Sequence, residues 1–179
     1  MMPGHLTVLR HQEGDDWDFV AIEHVGTKAT VEIPSGPGPS RNLSAWHEDS
    51  YVSGPPWADV VRAMGLPTGP GAPGSNPATA VYVVSVLRAV PGHREQLQQA
   101  ITRTDPTSKI AIGAVLFQHL EGGAWTFLSV NRYNTWQDFA ADHAASVAPS
   151  GSGAAQWAES RQHADFHRDT IADRIAPLK

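Results

Sequence analysis

Apolar residues along the chain change their spacing several times, and each change marks an element. AVYVVSVLRAV (80–90) is a nearly continuous, β-rich apolar run, which predicts a strand. Past the PG turn, HREQLQQAITR sets Leu97, Ala100 and Ile101 at helical spacing. KIAIGAVLFQH (109–119) and AWTFLSVNRY (124–133) read as two strands joined by an EGG turn. The latter places Trp125, Phe127, Ser129 and Asn131 on one face and Leu128, Val130 and Arg132 on the other. Thr135 stands as an N-cap with Asp138 at the capping-box position, ahead of a helix whose stripe holds Trp136, Phe139, Ala140 and His143. After PSGSG (149–153), residues 154–175 read as one long amphipathic helix with Trp157, Ala164, His167, Ile171 and Ile175 on one side.

The same pattern occurs earlier in the chain. HQEGDDWDFVAI (11–22) and HLEGGAWTFLSV (119–130) stand 108 positions apart, the difference between 119 and 11, and share His, Glu, Gly, Trp and Phe at matching places. The flanks keep the apolar pattern without the letters: Val8 meets Leu116, Leu9 meets Phe117, and Ile22 meets Val130. These matches point to a duplicated structural unit. PPWADVVRAMG (55–65) reads as a short helix with Pro near its start and Gly past its end, and SAWHEDS (44–50) faintly echoes AQWAESR (155–161).

Pro and Gly dominate 34–42 and 66–77, where they prevent a regular ladder. The expected organisation is an incomplete first α+β repeat over 1–65, a Gly/Pro-rich linker over 66–79, and a complete second repeat with a long C-terminal helix over 80–179. The strand and helix of 80–104 have no counterpart in the first repeat. A sheet without its first strand would expose an edge, so the expectation is a start codon upstream of Met1.

Composition narrows the function classes. The 179 residues are 41% apolar and 17% charged, ordinary for a folded chain. A formal charge of −5 and the absence of basic runs interleaved with aromatics argue against a nucleic-acid partner and an anionic membrane surface. No apolar stretch approaches the roughly 20 residues of a spanning helix, and the N-terminus lacks a signal-peptide layout, so a cytoplasmic location is expected. With no cysteine, disulfides, thiolate catalysis and Cys-ligated metal are excluded, and the nine histidines become the residues to follow.

LRAVPGHREQLQQAI and SVNRYNTWQDFAADHAAS, in the order β-α-β-β-α, resemble the dimeric α+β barrel superfamily, closest to the antibiotic-biosynthesis-monooxygenase-like proteins. The likeness covers 80–145 and, through the repeat, 4–33. It implies a ferredoxin-like α+β fold: two tandem repeats, an antiparallel sheet with helices packed on it, and closure either within the chain or as a homodimer. Cofactor-independent monooxygenases and heme-degrading enzymes of this superfamily use pockets shaped by Asn, Trp and His.

Read from the residues, a pocket between sheet and helices would be lined by Trp125, Phe127, Asn131, Trp136, His143 and Trp157. His143 is the candidate acid/base or hydrogen-bond donor, and Asn131 resembles the superfamily's polar residue in type. His167 joins the ligand-binding set as the imidazole of the apolar helical stripe. The competing reading is that the aromatics are core, each contributing about 1.5–3 kcal/mol by burial. His163 and His167, four apart on the expected helix, are the weak metal candidates, with His143, Glu159 or Asp169 to complete a site. No resident cofactor is expected, and neither zinc nor heme has support of its own in the chain. His11 and His119 are expected to fix the two turns rather than to react.

The expected protein is thus a small-molecule-binding α+β barrel taking an apolar or aromatic ligand, monooxygenase-like if it is an enzyme. The alternative is a noncatalytic assembly module, binding metal through a His-rich C-terminal helix.

Overall fold

The computed structural model describes residues 5–27, 43–68, 72, 74, 78–103, 113–148 and 152–177. Strands β1 (Leu6–Glu13) and β2 (Phe19–Glu23) form a hairpin, followed by β3 (Tyr51–Ser53) and α1 (Trp57–Met64). Then come β4 (Val81–Ala89), α2 (Arg94–Thr102), β5 (Gly113–Glu121), β6 (Phe127–Tyr133), α3 (Trp136–Val147), α4 (Ser152–His163) and β7 (Ala164–Ala176). The Pro/Gly-rich stretch 34–42, residues 109–112 of the strand expected over 109–119, and most of the Pro/Gly-rich stretch 66–77 lie outside the described residues. The protein is α+β: among the described residues seven strands make one curled antiparallel sheet in the order β2-β1-β7-β4-β6-β5-β3.

The continuous apolar run of β4 reflects its place. It lies inside the sheet between β6 and β7, and both of its faces are covered. Tyr82 and Val84 face one side with Leu9, Val115, Phe117, Val130 and Ala172, where α1 contributes Val60 and Met64. Leu87 faces the other with Phe127 and α2 residue Leu97. Tyr82 donates to the carbonyl of Met64 at 2.8 Å and Arg132 Nε donates to that of Ala63 at 3.0 Å, so sheet side chains satisfy two C-terminal carbonyls of α1. Pro56 precedes α1, and Gly65 ends it at φ +62°. Thr135 caps α3 by accepting from the Asp138 amide at 3.1 Å.

The two look-alike hairpins pair in one register. Leu9 meets Val20 and Arg10 meets Phe19 in the first, while Phe117 meets Leu128 and Gln118 meets Phe127 in the second. The His11 amide donates to Asp18 O and the His119 amide to Thr126 O, both at 2.9 Å. Each turn holds a left-handed glycine, Gly14 at φ +115° and Gly122 at φ +121°. Their outer neighbours match as well: β7 sets Ile171 against Glu13 and Ala172 against His11, and β3 sets Tyr51 against Glu121 and Val52 against His119.

The C-terminal segment departs from the helix expected over 154–175. The helix ends at His163, and Ala164–Ala176 is a 13-residue strand. A spacing of four puts His163, His167, Ile171 and Ile175 on one side of a helix, but four is also an even number and keeps residues on one face of a strand. The apolar pattern therefore could not separate the two. What decides is the slot between β1 and β4, where this segment forms ladders on both sides.

Candidate ligand-binding site

Alternation along three neighbouring strands sends Val83 and Ser85 of β4, Asn131 and Tyr133 of β6, and His167, Asp169 and Ile171 of β7 to the same face. Helix α3 stands over that face with Phe139, Asp142, His143 and Ser146, and the β1–β2 turn adds Glu13 and Gly14 at the edge. Together they enclose a cleft of about 750 Å³. Apolar and aromatic surface comes from Val83, Ile171, Tyr133 and Phe139. The polar groups are few and directed, the usual make-up of a small-molecule site.

The polar groups are tied to one another. His167 Nε2 lies 2.8 Å from Asp169 Oδ1, two residues on along the same strand face. Ser85, directly across from Asp169 in the ladder, also hydrogen-bonds its carboxylate. Burial alone would raise the Asp169 carboxyl, but the bonds from His167 and Ser85 and the nearby imidazoles of His167 and His143 outweigh it and hold it below the usual carboxylate range. Tyr133 donates to Asp142 Oδ2 at 2.7 Å, and burial followed by that bond pushes its phenol well up, so it stays protonated. His143 stacks on Phe139 at 5.9 Å, and Phe139 meets the edge of Tyr133 at 5.5 Å.

Of the residues expected in the pocket, the fold brings Asn131, His143 and His167 to this cleft. Phe127 is fully buried against Leu87 and Leu97 beneath α2. Trp125 packs on His119 at the β5–β6 turn, with ring centres 4.7 Å apart. Trp136 is half exposed in the first turn of α3, edge-on to Phe139. Trp157 lies on His167 at 4.7 Å and lines a second, smaller hollow of about 360 Å³ with Leu87, Arg161 and Phe166. His167 forms part of both.

His163 and His167 do not share a helical face. His163 closes α4 with its Nδ1 3.0 Å from Nδ1 of His93, and His167 belongs to the strand. Glu159 pairs with Arg103. Among the described residues no three His, Asp or Glu side chains converge as a metal site would require. His11 accepts from the Asp15 amide at 3.3 Å, the turn-fixing contact expected of it.

Sequence reasoning gave Asp169 no part in the pocket and passed over Asp142, Tyr133 and Ser85. A signal for Asp169 was present. HEDS (47–50) and HRDT (167–170) stand 120 positions apart, from 47 to 167, and precede β3 and the equivalent part of β7. In the first copy His47 Nε2 is 3.6 Å from Asp49 Oδ2, and both side chains are exposed. Only the second copy lies under helices.

The chain matches no family model, no curated protein and no solved structure.

Proposed function

We propose that this chain is a small-molecule-binding α+β barrel of the ferredoxin-like kind, and that the cleft under α3 takes an aromatic or polycyclic compound. The cleft carries the reading: its volume of about 750 Å³ suits a multi-ring ligand, and its walls pair flat apolar surface with Asn131, His143 and His167. The barrel reading draws support from β4-α2-β5-β6-α3/α4-β7, whose strands run β7-β4-β6-β5, a β-α-β-β-α-β unit. Two tandem repeats, the first incomplete, are supported by the common hairpin register and by the paired HEDS and HRDT segments. In a monooxygenase-like role, His143 exchanges a proton with a ligand hydroxyl and Asn131 hydrogen-bonds a ligand oxygen, with no resident cofactor. The alternative of a metal-binding helix loses its geometric basis, because His167 is on a strand.

Calorimetric titration with naphthyl and anthracenyl compounds tests the reading, with Ser146→Trp as a variant that fills the cleft. Binding is expected to raise the melting temperature of the wild type by mass action and to vanish in the variant. Oxygen uptake with hydroxylated members of the series separates an enzyme from a binding protein. Binding that survives Ser146→Trp unchanged would place the ligand elsewhere.

A further inference from the structure

One pair in the cleft has the layout of an oriented base. His167 Nε2 lies 2.8 Å from Asp169 Oδ1. An ionised carboxylate can only accept, so the proton between them sits on Nε2, and the neutral ring carries its lone pair on Nδ1. Three contacts hold the ring: the ladder sets His167 opposite Leu87, Trp157 packs on it with ring centres 4.7 Å apart, and Asp169 fixes its tautomer. Asp169 is itself anchored by Ser85, which is buried, lies across the ladder and hydrogen-bonds the same carboxylate. The hydroxyl proton of Ser85 is thereby committed to Asp169, so the imidazole is arranged to take a proton from something other than that serine. The ring lines both the cleft under α3 and the smaller hollow beside α4. The titratable and charged groups around it are Asp142 and His143 of α3, Tyr133 of β6, Glu13 at the end of β1, and Arg161 and Asp165 of the hollow, where Asp165 is bonded to Arg88.

We propose that His167, oriented by Asp169, is a proton acceptor of the cleft, and that the cleft takes aromatic compounds with an acidic ring hydroxyl and holds them as phenolates. The inference rests on the reading of the cleft as a ligand site. The ligand O–H bond breaks with its electron pair left on oxygen, and the proton forms a new bond to Nδ1. The resulting imidazolium lies between the phenolate, whose charge it answers, and Asp169, which stabilises it as the carboxylate of a hydrolase triad stabilises its imidazolium. Asp169 acts only through the ring and is a positioning residue.

Umbelliferone, a hydroxycoumarin, reports the step directly, because its phenolate absorbs at longer wavelength than its phenol. It is titrated into the full chain at about pH 7, where the free probe is mainly protonated and imidazoles are ordinarily mainly neutral. Its methyl ether, which has no proton to give, reports the site alone. The wild type is expected to develop the phenolate band at saturation, and His167→Gln to bind the probe without it. In Asp169→Asn the ratio of phenolate to phenol in the bound probe is expected to fall about tenfold or more, the effect of removing an opposite charge from beside the imidazolium. Read at saturation, that ratio does not depend on how tightly the probe is held, so a merely structural role for Asp169 would leave it unmoved and overturn the pairing. Melting curves report whether each variant is folded, and the wild-type band is a test without them. If umbelliferone binds in a manner abolished by Ser146→Trp but stays a phenol, or if the band survives His167→Gln, as it would were His143 the acceptor, the assignment is overturned and the ligand site stands. If neither coumarin binds, or both bind regardless of Ser146→Trp, both readings fall.

Discussion

Asp169 is the residue through which strand, helix and cleft are joined, and its ionisation makes a prediction about stability. Its folded carboxyl is held below the unfolded value of about 3.9. The stabilisation is therefore fully present above that value and is lost as pH falls through the folded one. Asp169→Asn should be less stable than the wild type near neutrality, and the gap in melting temperature should narrow as the pH is taken below about 4. A gap independent of pH would mean that the carboxylate's charge contributes nothing. The three histidines separate in the same terms. His167 is mostly covered, with 21% of its side chain exposed, and touches both Trp157 and Asp169, whereas His143 is an exposed residue of α3. His167→Ala is expected to cost about 0.5–1.5 kcal/mol of stability for the lost hydrogen bond to the half-exposed Asp169, with the lost packing on Trp157 in addition. His143→Ala should leave the melt nearly unchanged and weaken ligand binding. His163→Ala, at the end of α4, should cost less than His167→Ala; equal losses in denaturant melts would count against this placing. Asn131 and His143 were legible because strand alternation and a helical stripe fix their directions. Asp169 was not, since a helix over 154–175 aims it away from Ser85.

At the scale of elements, the two hairpins are where local sequence and fold agree most closely. Glu-Gly after His predicts a turn, and both glycines adopt the left-handed conformation that side chains avoid. Each also abuts backbone of a neighbouring segment, Gly14 that of β7 and Gly122 that of the residues just before β3. A Cβ on Gly14 would collide with the carbonyl oxygen of Asp169, and one on Gly122 with that of Asp49. Gly14→Ala and Gly122→Ala should each destabilise by about 1–3 kcal/mol, measured by chemical denaturation. Gly92→Ala is the instructive control: it has φ +84° but no atom within 4 Å of the added Cβ, so it should suffer the backbone strain alone. Strand β4, α1, α2, α3 and the cap at Thr135 were all readable from spacing and turn chemistry. Strand β3 was missed because three residues carry no period, and β7 was misread because a four-residue spacing serves helix and strand alike. HEDS runs up to β3 and HRDT lies within β7, so their likeness aligns Tyr51 with Ile171 without naming either segment a strand.

For the whole molecule, the consequential fact is that the sheet interleaves the two ends of the chain. β1 pairs with β7, β3 pairs with β5, and α1 packs across strands on both sides of the Pro/Gly-rich stretch. Leu9 has no exposed surface and shares a core with Tyr82, Val84 and Val130. Its loss should therefore weaken not only the N-terminal hairpin but also the strands it covers. Leu9→Ala is expected to cost about 2–5 kcal/mol, the range for truncating a buried leucine. Moreover, if the sheet unfolds as one body, every reporter should move together. Trp17, Trp46 and Trp57 precede the Pro/Gly-rich stretch, and Trp125, Trp136 and Trp157 follow it, so fluorotryptophan NMR reads both parts in one denaturant titration. Coincident transitions are expected for the wild type, and a common shift of all of them to lower denaturant for Leu9→Ala. Retention of the Trp125 and Trp157 signals after those of Trp17 and Trp57 have melted would show instead that residues beyond the linker stand without the N-terminal hairpin, and that the ladder between β1 and β7 adds little to the whole.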